Sequence, residues 1–202
     1  CTPTVADGKV FVLGAEGHLT VLDARTGAVV WSRDFKKDYA APVPIWGFCG
    51  HPLVEGDLLI CLVGGPGSVA VAFDKNTGVE RWRALTASES GYCPPTLIEA
   101  GGRRQLVIWD ADNLNALDPA TGILLWSQPL KPMYGMSITA PQVADTPRGR
   151  VLFASGIGRV AALYALAPDQ PAARLLWRGE PKSAVYCANS TPFIAGDTLY
   201  GC

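Results

Sequence analysis

The sequence has almost no net charge. Its 202 residues include 17 basic and 18 acidic ones, which gives a formal net charge of −1. Nucleic-acid-binding domains and polybasic membrane anchors concentrate positive charge, so we predict no nucleic-acid partner. Charged residues make up only 17% of the chain and hydrophobic residues 49%, a composition that excludes a disordered chain.

Long uncharged apolar segments are also missing. The longest apolar stretch, residues 151–168, contains Arg159 and two glycines, whereas a membrane-spanning helix needs about 20 nearly uncharged residues. We therefore predict no transmembrane segment. The chain begins at Cys1 without a basic and then apolar leader, so we expect no targeting signal in this segment and interpret it as part of a longer protein.

Hydrolase motifs are absent too. The chain has two histidines and no Gly-x-Ser-x-Gly sequence, so the sequence gives little support to a Ser-His-Asp hydrolase. Glycine and proline, in contrast, are abundant, with 22 and 16 residues. This content is too high for a helical bundle and indicates many short strands and turns.

The tryptophans reveal an internal repeat. Trp31, Trp82, Trp126 and Trp177 recur every 44 to 51 residues, and such a period indicates an array of structural repeats. Each copy contains four short apolar runs separated by glycine-containing turns, which predicts a four-stranded antiparallel meander. In the first copy these runs are residues 2–6, 10–13, 19–22 and 28–35.

The turn before the tryptophan is the best-defined motif. An Asp-x-x-Thr-Gly sequence occupies residues 23–27, 74–78 and 118–122. The aspartate can accept hydrogen bonds from the amides two and three residues later, and the glycine supplies a positive φ, so the motif closes a tight hairpin. The fourth copy has no such motif before Trp177, and we expect a longer, less regular hairpin there.

The turn motif and the tryptophan that follows it together resemble the repeat of a known family. The pattern Ala-x-Asp-x-x-Thr-Gly-x-x-x-Trp at residues 72–82 and 116–126, and at 21–31 with Val21 for the alanine, resembles the blades of β-propellers related to pyrroloquinoline quinone (PQQ) enzymes. The resemblance covers nearly the whole chain and implies that the tryptophans dock against neighbouring blades. The residues to which it gives this structural role are Trp31, Trp82, Trp126, Trp177, Asp23, Asp74, Asp118, Gly27, Gly78 and Gly122.

The resemblance implies an all-β fold, a propeller with about four and a half blades present. The predicted blades are residues 1–38, 48–86, 92–131, 136–179 and, incomplete, 187–202. Because an open array leaves strand edges unpaired and propellers close with four to eight blades, we predict that the chain is part of a six- to eight-bladed propeller.

PQQ enzymes supply an alternative function. The resemblance implies that such a dehydrogenase has a vicinal cysteine pair, a Ca²⁺ ion held by oxygen ligands, and a catalytic aspartate. Here no two cysteines are adjacent, and Asp110, Asp112 and Asn113, with Glu89, fit a turn at least as well as a Ca²⁺ site. We therefore predict no catalytic residue, no metal and no cofactor, with PQQ and Ca²⁺ expected only under this alternative.

Cysteines form a second candidate group. Cys1, Cys49, Cys93 and Cys187 each precede the proline that opens a copy, which places them near the central channel of a propeller. Buried thiols are the first interpretation, a disulfide between blades the second, and a metal site the third, since no C-x-x-C pair occurs. Cys61 is expected in the core.

The connections between copies form the third group. They place an aromatic side chain beside a small residue, and in propellers they crowd one face around the channel. Such aromatics suit a peptide, a glycan or a small ligand, although packing of blade against blade is an equal alternative. The predicted binding residues are Trp46, His51, Tyr92, Tyr134, Tyr186 and Asn189.

We therefore predict a non-enzymatic propeller scaffold that binds a protein or small-molecule partner on its top face. A fragment of a quinoprotein alcohol or sugar dehydrogenase is one alternative, and a sensor domain of a membrane kinase is another. Fold alone does not establish function. By analogy with the resembled family, which includes an outer-membrane assembly lipoprotein, we expect a periplasmic or otherwise extracytoplasmic location.

Overall fold

The computed structural model describes residues 1–180, 184–196 and 198–201. Within them the chain forms five antiparallel sheets, four of four strands and one of two strands. Strands in each sheet follow one another in chain order, as short hairpins require. The expected all-β fold of propeller blades is confirmed.

The first four sheets have four strands each. Their bounds are β1 Thr4–Ala6, β2 Lys9–Leu13, β3 His18–Asp23 and β4 Val29–Asp34; β5 Leu53–Glu55, β6 Leu58–Leu62, β7 Ala70–Asp74 and β8 Glu80–Ala84; β9 Thr96–Ala100, β10 Arg103–Trp109, β11 Asn113–Leu117 and β12 Leu124–Pro129; β13 Gln142–Thr146, β14 Gly149–Gly156, β15 Val160–Leu166 and β16 Ala173–Arg178. The fifth sheet pairs β17 Phe193–Ala195 with β18 Thr198–Tyr200. We refer to these sheets as blades 1 to 5.

The repeat is preserved in strand register as well as in sequence. In each complete blade the pairing of the third and fourth strands shifts by one residue, after Val21, Ala72, Ala116 and Leu163. A bulge of this kind bends the outer strand and increases its twist. The four blades therefore share one backbone design.

The core lies between adjacent blades. Phe11 and Leu19 of blade 1 cluster with Phe73 of blade 2, and Trp109 of blade 3 clusters with Leu152 of blade 4. Burial of each such side chain is worth about 1.5–3 kcal/mol. Blade-to-blade packing, rather than any single sheet, therefore stabilises the fold.

A short helix was not predicted from the sequence. Helix α1, Phe35–Tyr39, follows β4 directly, and the Asp34 carboxylate caps it by accepting hydrogen bonds from the amides of Lys36 and Lys37. Phe35 is fully buried and stacks on Phe73 with ring centroids 6.4 Å apart. The helix thus fixes the chain as it leaves blade 1. No helix in the described residues is long and apolar enough to cross a membrane.

The expectation of a longer hairpin in blade 4 is wrong. The Ala167 amide donates to the Ala172 carbonyl at 3.0 Å, with the same spacing as the bond from Asp118 to Ile123 in blade 3. The hairpin has fewer hydrogen bonds, however, because Pro171 occupies the position equivalent to Gly122 and has no N–H to donate. The sequence change therefore alters the chemistry of this turn and leaves its length unchanged.

Candidate functional site

The connections between blades pack against the hairpins that join the second and third strands. The Phe48 amide donates to the Ala15 carbonyl at 2.9 Å, and the Met133 amide donates to the Ile157 carbonyl at 3.0 Å. The Ala111 amide reaches the carbonyl of Glu89 at 3.3 Å. Connections and hairpins thus form one continuous surface, which we call the top face.

Trp46 and Tyr92 are joined on this face. The Trp46 backbone amide lies 3.4 Å from the Tyr92 hydroxyl, to which it donates, and the Tyr92 amide donates to the Ser137 carbonyl at 2.9 Å. Tyr92 is only 5% exposed, while Trp46 is 64% exposed, and burial raises the pKa of Tyr92. Tyr92 therefore links its own connection to the connections that contain Trp46 and Ser137. The Trp46 side chain is exposed to solvent.

Tyr134 is the most exposed of the predicted aromatics, at 76%. It lies in the 3₁₀ turn Met133–Gly135 with φ of +58°, a left-handed conformation that is uncommon for a residue other than glycine. The Met136 amide closes this turn on the Met133 carbonyl at 3.2 Å. An exposed aromatic held in an unfavourable backbone conformation indicates a surface role for this turn.

A groove of about 500 Å³ runs across the top face beside Trp46. Its walls come from three segments, residues 42–45, 64–66 and 86–90, with Val69 between them. Ile45 is 79% exposed, and Glu89 is the one charged residue among the lining side chains. The carboxylate of Glu89 also lies near Gly135, since a β-carbon on that glycine would be 3.4 Å from it, so the Tyr134 turn lies next to the Glu89 side of the groove.

Three of the predicted binding residues stand apart from this group. His51 is half-buried, and burial lowers its pKa. The buried hydroxyl of Tyr186 has no hydrogen-bond partner among the described residues, and Asn189 is exposed. The structure therefore brings Trp46, Tyr92 and Tyr134 to one area and gives no hydrogen bond that adds the other three to it.

The carboxylates considered for Ca²⁺ are engaged locally. Asp110 is 1% exposed and accepts from the amides of Asp112 and Asn113 and from the Asn115 side chain, and burial raises the pKa of Asp110. Asp112 accepts from Lys131 and from the Ser88 amide, and these two bonds hold its pKa below the ordinary value. Glu89 alone of the carboxylates considered lines the groove, and Asp110 and Asp112 are engaged by the bonds above, so this donor set does not fit a Ca²⁺ site. The described residues contain no cluster of His, Cys, Asp or Glu suited to a metal.

Cys1, Cys49, Cys61 and Cys93 are free thiols. Cys93 and Cys187 are buried, as the first interpretation required, whereas Cys1 and Cys49 are exposed and depart from it. Cys61 is buried in the core, as expected. Burial raises the pKa of Cys61 and raises that of Cys93 to about 12. Cys202 lies outside the described residues.

The repeated tryptophans make different contacts. The indole N–H of Trp31 donates to the Lys75 carbonyl of blade 2 at 3.2 Å, and that of Trp82 to the Pro119 carbonyl of blade 3 at 3.1 Å. Trp126 instead donates to Gln105 of its own blade at 2.6 Å. Trp177 is 36% exposed.

Aspartates of the repeated turn cap their own hairpins. The Asp23 carboxylate accepts from the Thr26 amide at 2.7 Å, Asp74 from the Thr77 amide at 2.9 Å, and Asp118 from that of Thr121 at 3.0 Å. The Arg81 guanidinium, 2.6 Å from Asp74, holds the pKa of that carboxyl far below its usual range. Gly27, Gly78 and Gly122 all have φ of +72°.

Sequence reasoning missed several residues of the groove. Val43 and Ile45 are apolar and exposed, and Glu89 contributes the charge. A usable signal was the apolar run in residues 41–46, which alternates with prolines and so cannot continue a strand ladder. Apolar residues in such a connection do not belong to the core face of a strand, so their presence indicates an exposed apolar surface.

Comparison with known proteins gives a consistent fold. A family model described as outer membrane protein assembly factor BamB matches residues 2–201. The structure of BamB from Moraxella catarrhalis superimposes with a TM-score of 0.67 at 20% identity, over 95% of this chain and 54% of that one. Quinohemoprotein alcohol dehydrogenase ADHIIG from Pseudomonas putida HK5 superimposes with a TM-score of 0.59 at 19% identity, over 91% and 34% of the two chains.

One relative is also detectable by sequence. Quinohemoprotein alcohol dehydrogenase ADH-IIG of Pseudomonas putida is 34% identical over 91 residues, which are 44% of this chain and 12% of that protein. The chain thus spans about half of the BamB structure and a small part of this dehydrogenase. The expected likeness to PQQ-related propellers is confirmed.

Proposed function

This chain belongs to the family of outer membrane protein assembly factor BamB, and we propose that it is a non-enzymatic propeller scaffold that binds a protein partner on its top face. The partner contributes an extended segment that places apolar side chains in the groove beside Trp46. Tyr92 holds the connections that form the groove, and Trp46 and Tyr134 contact the partner.

One observation carries this proposal: three large apolar side chains are exposed together with a groove. Ile45, Trp46 and Tyr134 are 79%, 64% and 76% exposed. Clustered exposure of this kind marks interaction sites on folded proteins, and tryptophan and tyrosine are enriched among the few residues that carry most of the binding energy at protein interfaces. Burial of these three side chains needs a partner.

The groove suits a peptide better than a small polar ligand. Small-molecule sites are enclosed and place a few polar groups to orient their ligand, whereas residues 42–45 give this groove an unbroken apolar wall; its polar lining residues, Thr86, Ser88, Glu89 and Ser90, all come from one other segment. An aliphatic or aromatic side chain fits the apolar walls. A basic residue in the partner segment would lie next to Glu89.

A random peptide library displayed against the protein tests this proposal. We expect selected peptides to combine apolar and basic residues and to bind the Trp46→Ala/Tyr134→Ala variant about tenfold more weakly or worse. The matched control is Val79→Ala/Ile123→Ala, which removes exposed apolar side chains elsewhere and should leave the affinity unchanged. Equal binding to both variants would refute the top-face site.

A quinoprotein dehydrogenase is the second candidate, favoured by the 34% identity to ADH-IIG. It predicts tight binding of PQQ in the presence of Ca²⁺, with dye-linked alcohol oxidation. Our proposal predicts neither, because Asp110 and Asp112 are occupied by local hydrogen bonds and an ion pair. Titration of PQQ with Ca²⁺, followed by absorbance, distinguishes the two functions.

We also propose an extracytoplasmic location. Its support is the description of the family as an outer membrane protein assembly factor. Fractionation of the native cells, with a known periplasmic and a known cytoplasmic protein as markers, tests it. Recovery of the protein with the cytoplasmic marker would contradict this location.

A further inference from the structure

The repeat is interrupted on the face opposite the top face. On that face, the hairpin between the third and fourth strands of one blade contacts the turn between the first and second strands of a neighbouring blade. For example, the ammonium group of Lys75 in blade 2 donates to the Asp7 carboxylate in blade 1 at 2.6 Å. We call this surface the bottom face. Between blades 3 and 4 it contains a pocket of about 840 Å³.

The blade 4 hairpin, which forms one side of this pocket, departs from the repeated turn at two positions. Pro171 replaces the glycine of the repeated turn, and Ala167 replaces its aspartate. At the two preceding blade junctions a tryptophan N–H reaches the carbonyl that follows the aspartate, but Trp126 bonds Gln105 of its own blade. The blade 4 hairpin instead packs closely against Gly101 of blade 3. A β-carbon on Gly101 would clash with the Gln170 carbonyl oxygen.

Four arginines line the pocket, against a single carboxylate from Glu99. They come from three separate segments of the chain and are Arg103, Arg148, Arg150 and Arg174. This concentration contrasts with the overall net charge of −1. Guanidinium groups present a planar fork of donors that matches carboxylate and phosphate groups.

Two of these arginines have no acidic partner in the described part of the chain. Arg103 pairs with Asp118, and Arg150 lies 3.5 Å from Asp145, whereas neither Arg148 nor Arg174 has a carboxylate within ion-pair distance. The aspartate of the repeated turn would have stood at position 167. Its replacement by alanine removes a carboxylate from a position that lines the pocket, and Asp169 of the same hairpin is not among the lining residues.

The remaining walls of the pocket are apolar. Small aliphatic residues and a proline from blades 3 and 4 form most of them, with Gln170 as the one uncharged polar side chain; the apolar residues are Ala100, Ala165, Leu166, Ala167, Pro168, Ala172 and Ala173. An inorganic anion would leave this surface in contact with water. A ligand with an apolar body and an acidic end group would cover it and still reach the arginines.

We propose that the pocket between blades 3 and 4 binds an amphipathic organic anion, with Arg148 and Arg174 holding its carboxylate or phosphate group and the alanine-rich wall covering its apolar body. Neither the fold nor the top-face groove requires this site. It is a second binding site, independent of the protein partner.

Isothermal titration calorimetry with three eight-carbon probes tests the site: octanoate, octyl phosphate and neutral octanol. We expect one or both anions to bind, and octanol and inorganic phosphate alone to bind at least about tenfold more weakly. The anion that binds more tightly identifies the end group as carboxylate or phosphate. In Arg148→Gln/Arg174→Gln the affinity should fall at least about tenfold.

The control variant is Arg25→Gln/Arg159→Gln, which removes the same charge from exposed positions outside the pocket. It should bind the probes like the wild type. Equal affinity of the Arg148/Arg174 variant and the control, octanol binding as tightly as the anions, or no binding of either anion would each overturn the proposal. Circular dichroism of both variants verifies that they are folded.

Discussion

The indole ring of Trp31 lies against the backbone of Gly78 in the next blade. A β-carbon at Gly78 would come within 2.7 Å of the indole Cδ2 and Cε3 atoms, closer than side chains approach one another. Trp82 and Gly122 repeat this relationship, with a closest approach of 2.6 Å. Gly78 and Gly122 are therefore required twice, each for its positive φ and for the tryptophan that lies on it.

Replacement of Gly78 by alanine should destabilise the protein by roughly 2 to 4 kcal/mol. A left-handed backbone conformation is unfavourable for alanine, and the alanine methyl group would also displace the Trp31 indole. Gly27→Ala is the matched control, because Gly27 has the same φ of +72° and no atom within 4 Å of a β-carbon; it should lose only about 1–2 kcal/mol. Urea denaturation measures both, and equal losses would contradict the docking role of Trp31.

Replacement of Trp82 by alanine should cost roughly 3 to 5 kcal/mol, because the side chain is 8% exposed and its removal leaves a cavity between blades 2 and 3. Trp177→Ala should cost clearly less, since Trp177 is 36% exposed. Thermal and urea unfolding of the two variants provide the comparison. A smaller loss for Trp82→Ala than for Trp177→Ala would show that blade-to-blade packing is not the main source of stability.

Acid should weaken the repeated turn through Asp74. The Arg81 guanidinium lowers the pKa of Asp74 from its ordinary value of 3.8, so this carboxylate contributes stability that is fully present above about pH 4 and is lost as the pH falls further. The difference in unfolding free energy between wild type and Asp74→Asn should therefore shrink in acid. Denaturation curves across this range measure it, and a pH-independent difference would contradict the assignment.

Thiol labelling should separate the cysteines by burial. Cys49 is exposed, whereas Cys61 and Cys93 are buried and have raised pKa values. Because the thiolate is the reactive form, a maleimide should modify Cys49 in the native protein and reach Cys61 and Cys93 only after unfolding. Peptide mass spectrometry after a short labelling pulse checks this order. Rapid native labelling of Cys61 would contradict the buried position of β6.

Much of the fold was predictable because the repeat encodes it locally. The aspartate, threonine and glycine of residues 74–78 specify a hairpin through bonds within five residues, and the tryptophan spacing sets the period. The partner of Trp126 was not predictable, because it depends on Pro171 in the next blade and on Gln105 in its own. A polar residue at position 105, where the equivalent position in blade 2 is Leu58, was the available signal.

The candidate site was predictable only in outline. Tyr92 and Tyr134 occupy similar connections in the sequence, yet one is 5% and the other 76% exposed. This difference arises because Tyr92 points under the Trp46 connection, while Tyr134 sits at a left-handed position of a tight turn. Both are tertiary features, and no local pattern distinguishes them.

Site-specific photocrosslinking tests the central claim most directly. A photoreactive phenylalanine analogue placed at Ile45, beside the top-face groove, should yield a discrete crosslinked species with one partner protein in the native cells. The same analogue at Ile123, also exposed but on the turn at the opposite face, should not yield that species. Absence of a crosslink at position 45, or the same product from both positions, would contradict a top-face binding scaffold.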